Sequence, residues 1–127
     1  MSTTANYAAT PRAAVAQVST ANTNRDGTGT IATVLTAGAN GTRVDDITVI
    51  ATGTTTAGMV RLFINDGTNT WLWQEIPVSA ATPSGTVQTF TATLLNQALI
   101  LPNNFSLRAS TNNAETFNVI VTRAGDF

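Results

Sequence analysis

Turn-forming clusters punctuate this chain at short intervals, and that spacing limits what it can fold into. Asn24-Arg25-Asp26-Gly27, Gly38-Ala39-Asn40-Gly41, Gly53, Asn65-Asp66-Gly67, Pro83-Ser84-Gly85, Pro102-Asn103-Asn104 and Asn112-Asn113 are built from residues that accept left-handed backbone, pre-set φ or hydrogen-bond their own main chain. Between them lie runs of strand length and composition, over 30–36, 43–52, 57–64, 70–78, 86–94, 98–101, 104–110 and 116–123. Val15 and Val18 signal a further strand ahead of these. No 3.6-residue apolar stripe is sustained anywhere. The pattern predicts an all-β chain, an antiparallel β-sandwich of jelly-roll type with about eight strands. One helical turn near Leu94-Leu95-Asn96-Gln97 is the most helix expected.

The 127 residues suit a single domain. Residues 1–14 are small and polar around Pro11 and read as an extended N-terminal arm, to be ordered by a partner. Residues 15–127 form the sandwich domain.

The side chains that most often do chemistry near neutral pH are missing. The chain has no His and no Cys, and all six basic residues are Arg, so general bases, soft metal ligands and activated nucleophiles are scarce. No catalytic residue, metal or cofactor is expected. Only 10% of residues are charged, against about 25% in ordinary domains. Thr, Ser and Asn must therefore supply the polar surface. The net charge of −1 offers little resistance to self-association. Arg12, Arg25, Arg43, Arg61, Arg108 and Arg123 are scattered singly among acids, which argues against nucleic acid as a partner. No apolar run approaches the roughly 20 residues of a membrane helix. Met-Ser-Thr-Thr-Ala-Asn-Tyr carries neither a basic nor an apolar signal region, so synthesis in the cytoplasm and no membrane association are expected.

The Asn65-Asp66-Gly67 segment, flanked by apolar runs, signals a hairpin. An even loop sets Leu62 opposite Trp71 or Trp73, so that both tryptophans share a core face with Val60, Leu62 and Ile64. The other face then carries Met59, Arg61 and Phe63 beside Leu72, Gln74 and Ile76. Such a mixed face is either a contact surface or the bed of a covering loop. One residue of slip would exchange the faces. A pair of aromatics at i, i+2 also suits a sugar-stacking platform, though the pairing argument favours the core.

Other constellations have plainer readings. Asn22-Thr23-Asn24-Arg25-Asp26-Gly27 opens like a calcium loop, but the twelfth position is Thr33, where a bidentate Glu belongs. A tight turn fits better, and the same holds for Asn65-Asp66-Gly67-Thr68-Asn69. Asp45-Asp46 should point to opposite faces of a strand, one into solvent and one toward an Arg, which prevents acid/base pairing. Glu75 and Glu115 stand alone. The glycines at 27–29 and 38–41 precede neither a Lys nor a helix, so they cradle no phosphate.

Several stretches resemble small virion proteins of tailed bacteriophages and prophages. These are Tyr7-Ala8-Ala9-Thr10-Pro11, Ala21-Asn22-Thr23-Asn24-Arg25-Asp26-Gly27-Thr28-Gly29, Val34 to Gly41, Ala51 to Ile64, and the Pro83-Ser84-Gly85-Thr86 turn. The resemblance lies in the texture of strands and turns and includes no catalytic signature. It implies a non-enzymatic β-sandwich of the phage particle, best matched by a head decoration (cement) protein on the outer capsid surface. Its partners would be the major capsid protein and itself, as a homotrimer. Tyr7 and Arg12 on the arm, with Arg61, Phe63 and Leu72 on the mixed face, are the candidate interface residues. A receptor- or glycan-binding module of a head or tail fibre is the alternative, and a tail-tube or connector component a third reading.

Overall fold

A computed structural model describes residues 9–127. In chain order its strands are β1 Thr10–Val18, β2 Ala32–Thr36, β3 Thr42–Ala51, β4 Gly58–Asn65, β5 Thr70–Val78, β6 Thr91–Leu94, β7 Leu99–Leu101, β8 Ser106–Thr111 and β9 Phe117–Asp126. Among the described residues there is no helix. All strand pairs are antiparallel and lie in two sheets. One runs β1-β9-β3-β6, with β7 also on β3, and the other β2-β8-β4-β5.

The pairings are nested. β4 pairs with β5, β3 with β6 and β7, β2 with β8, and β1 with β9. The chain is thus one long hairpin, tipped by the β4–β5 turn, whose successive segments fall alternately in the two sheets. That is the double Greek key of a jelly roll. β6 and β7 are two pieces of one edge strand, because both pair with β3, at Ile47–Ile50 and Thr42–Val44 respectively. Between them Asn96 and Ala98 take positive φ of 54° and 49°. The helical turn expected near Leu94–Gln97 is therefore a break in an edge strand.

The core lies between the sheets. Val44, Ile47 and Val49 of β3 and Val119 and Val121 of β9 face Val60 and Leu62 of β4 and Leu107 and Ala109 of β8, all fully buried. Each large aliphatic removed from water contributes about 1.5–3 kcal/mol. Phe117 adds an edge-to-face contact with Phe90 at 6.1 Å, a geometry that aromatic quadrupoles favour.

Two expectations need correction. The arm does not extend to residue 14, since β1 begins at Thr10 and pairs with β9 from Thr10↔Asp126 onward. Val15 and Val18 marked only the second half of that strand. The hairpin differs in its register. Its loop is even, with Asn65 opposite Thr70 and Ile64 opposite Trp71. An irregularity between Leu62 and Phe63 then adds one residue on β5, so Leu62 meets Gln74 and Val60 meets Ile76. Such a bulge places two residues against one and exchanges the faces beyond it. Ile76 consequently joins the core, and Trp73, the extra residue, packs half-buried against it; Trp71, on the turn side of the bulge, is 57% exposed.

Candidate functional site

The outer face of the four-stranded sheet is covered. The β1–β2 connection lies over it and is fixed by polar contacts. Asn22 N–H donates to the Thr111 carbonyl at 2.8 Å, and the Asn22 carboxamide donates to the carbonyls of Thr28 and Thr30 at 2.9 and 3.0 Å. Its Oδ1 accepts from Asn24 N–H at 3.0 Å. The oxygen-rich segment 22–27 is therefore a turn tied by its own side chains. Among the described residues no three of His, Cys, Asp or Glu are grouped to hold a metal ion.

Beneath this connection the bulge brings Glu75 opposite Arg61. Arg61 is buried: its Nε donates to Glu75 at 3.0 Å, and its terminal nitrogens reach the Asn22 carbonyl and Asn112 Oδ1 at 3.2 Å. Arg25 Nε donates to the same Glu75 carboxylate at 2.8 Å. These donors, Arg25 foremost, hold the Glu75 pKa below its ordinary value. Phe63 is also fully buried. The mixed face is thus the bed of a covering loop over Arg61 and Phe63, and neither side chain is available to a partner. Leu72, 38% exposed, is the member of that face still at the surface.

The arm candidates separate. Tyr7 lies outside the described residues. Arg12 is half-buried and turned inward, with NH1 donating to Asp126 Oδ1 at 3.1 Å and to the Thr36 carbonyl at 2.9 Å. The Thr42 hydroxyl donates to the same Asp126 oxygen at 2.6 Å and is the main cause of that carboxyl's lowered pKa. Arg12 thereby clamps β1 to the end of β9 and to β2.

Asp45 and Asp46 sit in the middle of β3, and neither stands free in solvent. The β3–β9 register is irregular from Val44 to Ile47, and both carboxylates turn to one arginine. Arg123 Nε lies 3.1 Å from Asp46 and its NH1 4.0 Å from Asp45, which also accepts from Arg43 Nε at 3.1 Å. Asp46 in addition accepts from Asn96 N–H at 3.0 Å, so the break between β6 and β7 wraps this cluster. Glu115 accepts from the Thr56 N–H and hydroxyl at 2.9 and 2.7 Å.

Two surfaces stand open among the described residues and carry neutral or aromatic side chains. The first is the outer face of the five-stranded sheet. Two neighbouring rows cross it, Val15–Ile120–Thr48–Thr93 and Gln17–Asn118–Ile50–Thr91. All eight side chains alternate with core residues, and none is charged. Val15 is 65% exposed, and Gln17 donates to Asn118 Oδ1 at 2.9 Å. The second is an open groove of about 610 Å³ between Arg25–Thr28 and Thr68–Leu72, with Trp71 on its rim. Nothing local in the sequence showed that the two turns meet, because their contact depends on the connection crossing the sheet.

No family model and no curated protein matches this chain. Among solved structures, a chain of the cyanophage Pam1 capsid asymmetric unit is similar, with a TM-score of 0.45 and 16% identity, over 98% of this chain and 89% of that one.

Proposed function

We propose that this protein is a non-enzymatic structural component of a phage virion, a decoration protein that docks on the outside of the capsid lattice. The uncharged outer face of the five-stranded sheet carries the reading. Its eight residues have neutral side chains, with Val15, Ile120 and Ile50 set among Thr, Gln and Asn. Docking such a face desolvates no ion, and its hydroxyls and amides pair with a partner's main chain. The ion pairs of Arg12, Arg25, Arg43, Arg61 and Arg123 with Asp126, Glu75, Asp45 and Asp46 are made within the fold and fit the same picture. The texture shared with small virion proteins points to the capsid as the partner.

A stable contact needs about 800 Å² on each side, which two rows of a sheet do not provide alone. A homotrimer engaging three lattice sites would combine weak contacts through effective concentration. The test mixes purified protein with capsids of the parent phage that lack it, then measures co-sedimentation and the temperature of capsid rupture. Wild type should add and raise the rupture temperature. Val15→Asp with Thr93→Asp, at exposed positions, should melt like the parent and fail to add. If wild type does not add, or if removing it leaves particle stability unchanged while abolishing host adsorption, the reading is wrong.

A further inference from the structure

The groove beside Trp71 is pre-formed, and its chemistry is distinct from that of the flat sheet face. Its two walls are locked together at Gly27. A Cβ there would stand 2.6 Å from the Thr70 carbonyl oxygen, and φ is +86°, so only glycine lets the connection lie this close to β5. Arg25 on the same wall is tied to Glu75 at 2.8 Å. Behind the other wall, formed by Thr68 to Leu72, the Asp66 carboxylate accepts from the N–H groups of Thr68 and Asn69 at 2.9 and 2.7 Å. Its second oxygen accepts from the Trp71 indole N–H at 3.1 Å. The ring is therefore anchored at its polar edge, while more than half of the residue stays exposed beside the groove.

An indole held this way at a surface is unusual for a side chain with so much apolar area, since exposing it forgoes burial. Around it stand groups with unused hydrogen-bonding capacity. The Thr68 hydroxyl and the Asn69 carboxamide make no hydrogen bond among the described residues, and both are exposed. Asp26 contributes a carboxylate whose pKa is lowered by the Thr28 hydroxyl, and Leu72 adds an apolar edge. An aromatic plate flanked by a carboxylate, an amide and a hydroxyl matches the two-sided chemistry of a pyranose ring, whose C–H face is apolar and whose rim is hydroxyls. The volume falls within the about 300–1,000 Å³ of small-ligand sites, and the open form suits a chain passing across it.

We propose that this groove is a carbohydrate-binding site that stacks a neutral sugar residue of an oligosaccharide on Trp71, with Asp26, Thr68 and Asn69 bonding its hydroxyls. Neutral sugars are favoured because the nearby guanidinium groups of Arg25 and Arg61 are tied to Glu75, while the Asp26 carboxylate lines the groove and the Asp66 carboxylate holds the indole. An anionic sugar would be repelled. The inference is independent of capsid docking, which uses the other sheet.

The full chain would be titrated with cellotetraose, chitotetraose, mannotetraose, β-1,4-galactotetraose and the acidic tetraguluronate, following indole fluorescence and the indole N–H resonances. At least one neutral tetrasaccharide should shift the Trp71 signal saturably. Trp71→Ala should weaken that binding by about tenfold or more while melting like the parent, and Trp73→Phe should retain it. Asn69→Ala should weaken it less. The proposal is overturned if no neutral tetrasaccharide binds, if tetraguluronate alone binds, or if Trp71→Ala binds as wild type does. It is equally overturned if Trp71→Ala loses only the ability to add to capsids, which would make the ring a protein anchor. Sugar binding by a protein that does not add to capsids would leave this site standing and remove the decoration reading.

Discussion

Trp71 and Trp73 are two positions apart, and one bulged residue gives them different surroundings. Near the turn the even loop holds Trp71 opposite Ile64, at the rim of the sandwich, where the ring is more than half exposed. Trp73 is the extra residue of the bulge and packs on the core. Trp73→Ala should therefore cost about 3 kcal/mol, and Trp71→Ala less than about 1 kcal/mol, in urea denaturation. Equal losses would mean that Trp73 is not packed on the core. The Asp-Gly signal made the hairpin legible, and the alternation in β4 made Val60 and Leu62 legible as core. The bulge was not, because an extra residue in an edge strand leaves no mark in composition. From that one residue follow the burial of Ile76 and the Arg61–Glu75 pair, whereas the exposure of Trp71 follows from its place beside the turn. Asp45 and Asp46 teach the same lesson, since local irregularity turned two neighbours toward Arg123.

At the scale of elements, turn spacing located most strands to within a residue or two. β5 matches its expected range of 70–78, and β3 and β4 are each displaced by one residue at either end. The misses fall where strand identity depends on a distant partner. Thr10–Ala14 have no alternation of their own and become strand because β9 offers its edge and Arg12 bridges to Asp126. The expected strand over 86–94 shrinks to Thr91–Leu94, the part that finds β3. This changes what truncation should do. Chains truncated to begin at Ala9 and at Val15 isolate the contribution of Thr10–Ala14. Removing 1–14 takes half of β1 and the Arg12 clamp, and should lower the melting temperature by about 4 °C for each kcal/mol lost. Equal melting of the two truncated forms would show that Thr10–Ala14 contribute nothing to the sheet.

For the whole molecule, the absence of His and Cys leaves acids as the groups that set pH dependence. Asp26, Asp46, Asp66, Glu75 and Asp126 all have pKa values lowered by hydrogen bonds in the folded chain. Groups of this kind stabilise the fold above their unfolded pKa of about 4 and lose that contribution as pH falls through the folded values. The melting temperature should be flat between about pH 6 and 8 and decline steadily below about pH 4. Weak loss on acidification to pH 2 would mean that these bonds are not made in solution. The nested hairpin has a further consequence, for when the fold becomes possible. β9 lies between β1 and β3, so the centre of the five-stranded sheet is made after every other strand of this fold, and its first pair joins Thr10 to Asp126. The growing chain carries β1 and β3 with no strand between them until synthesis of this segment is nearly over. Closing loops of that length makes folding slow. Through that interval the exposed edges depend on the sparse charges and abundant threonines to stay apart.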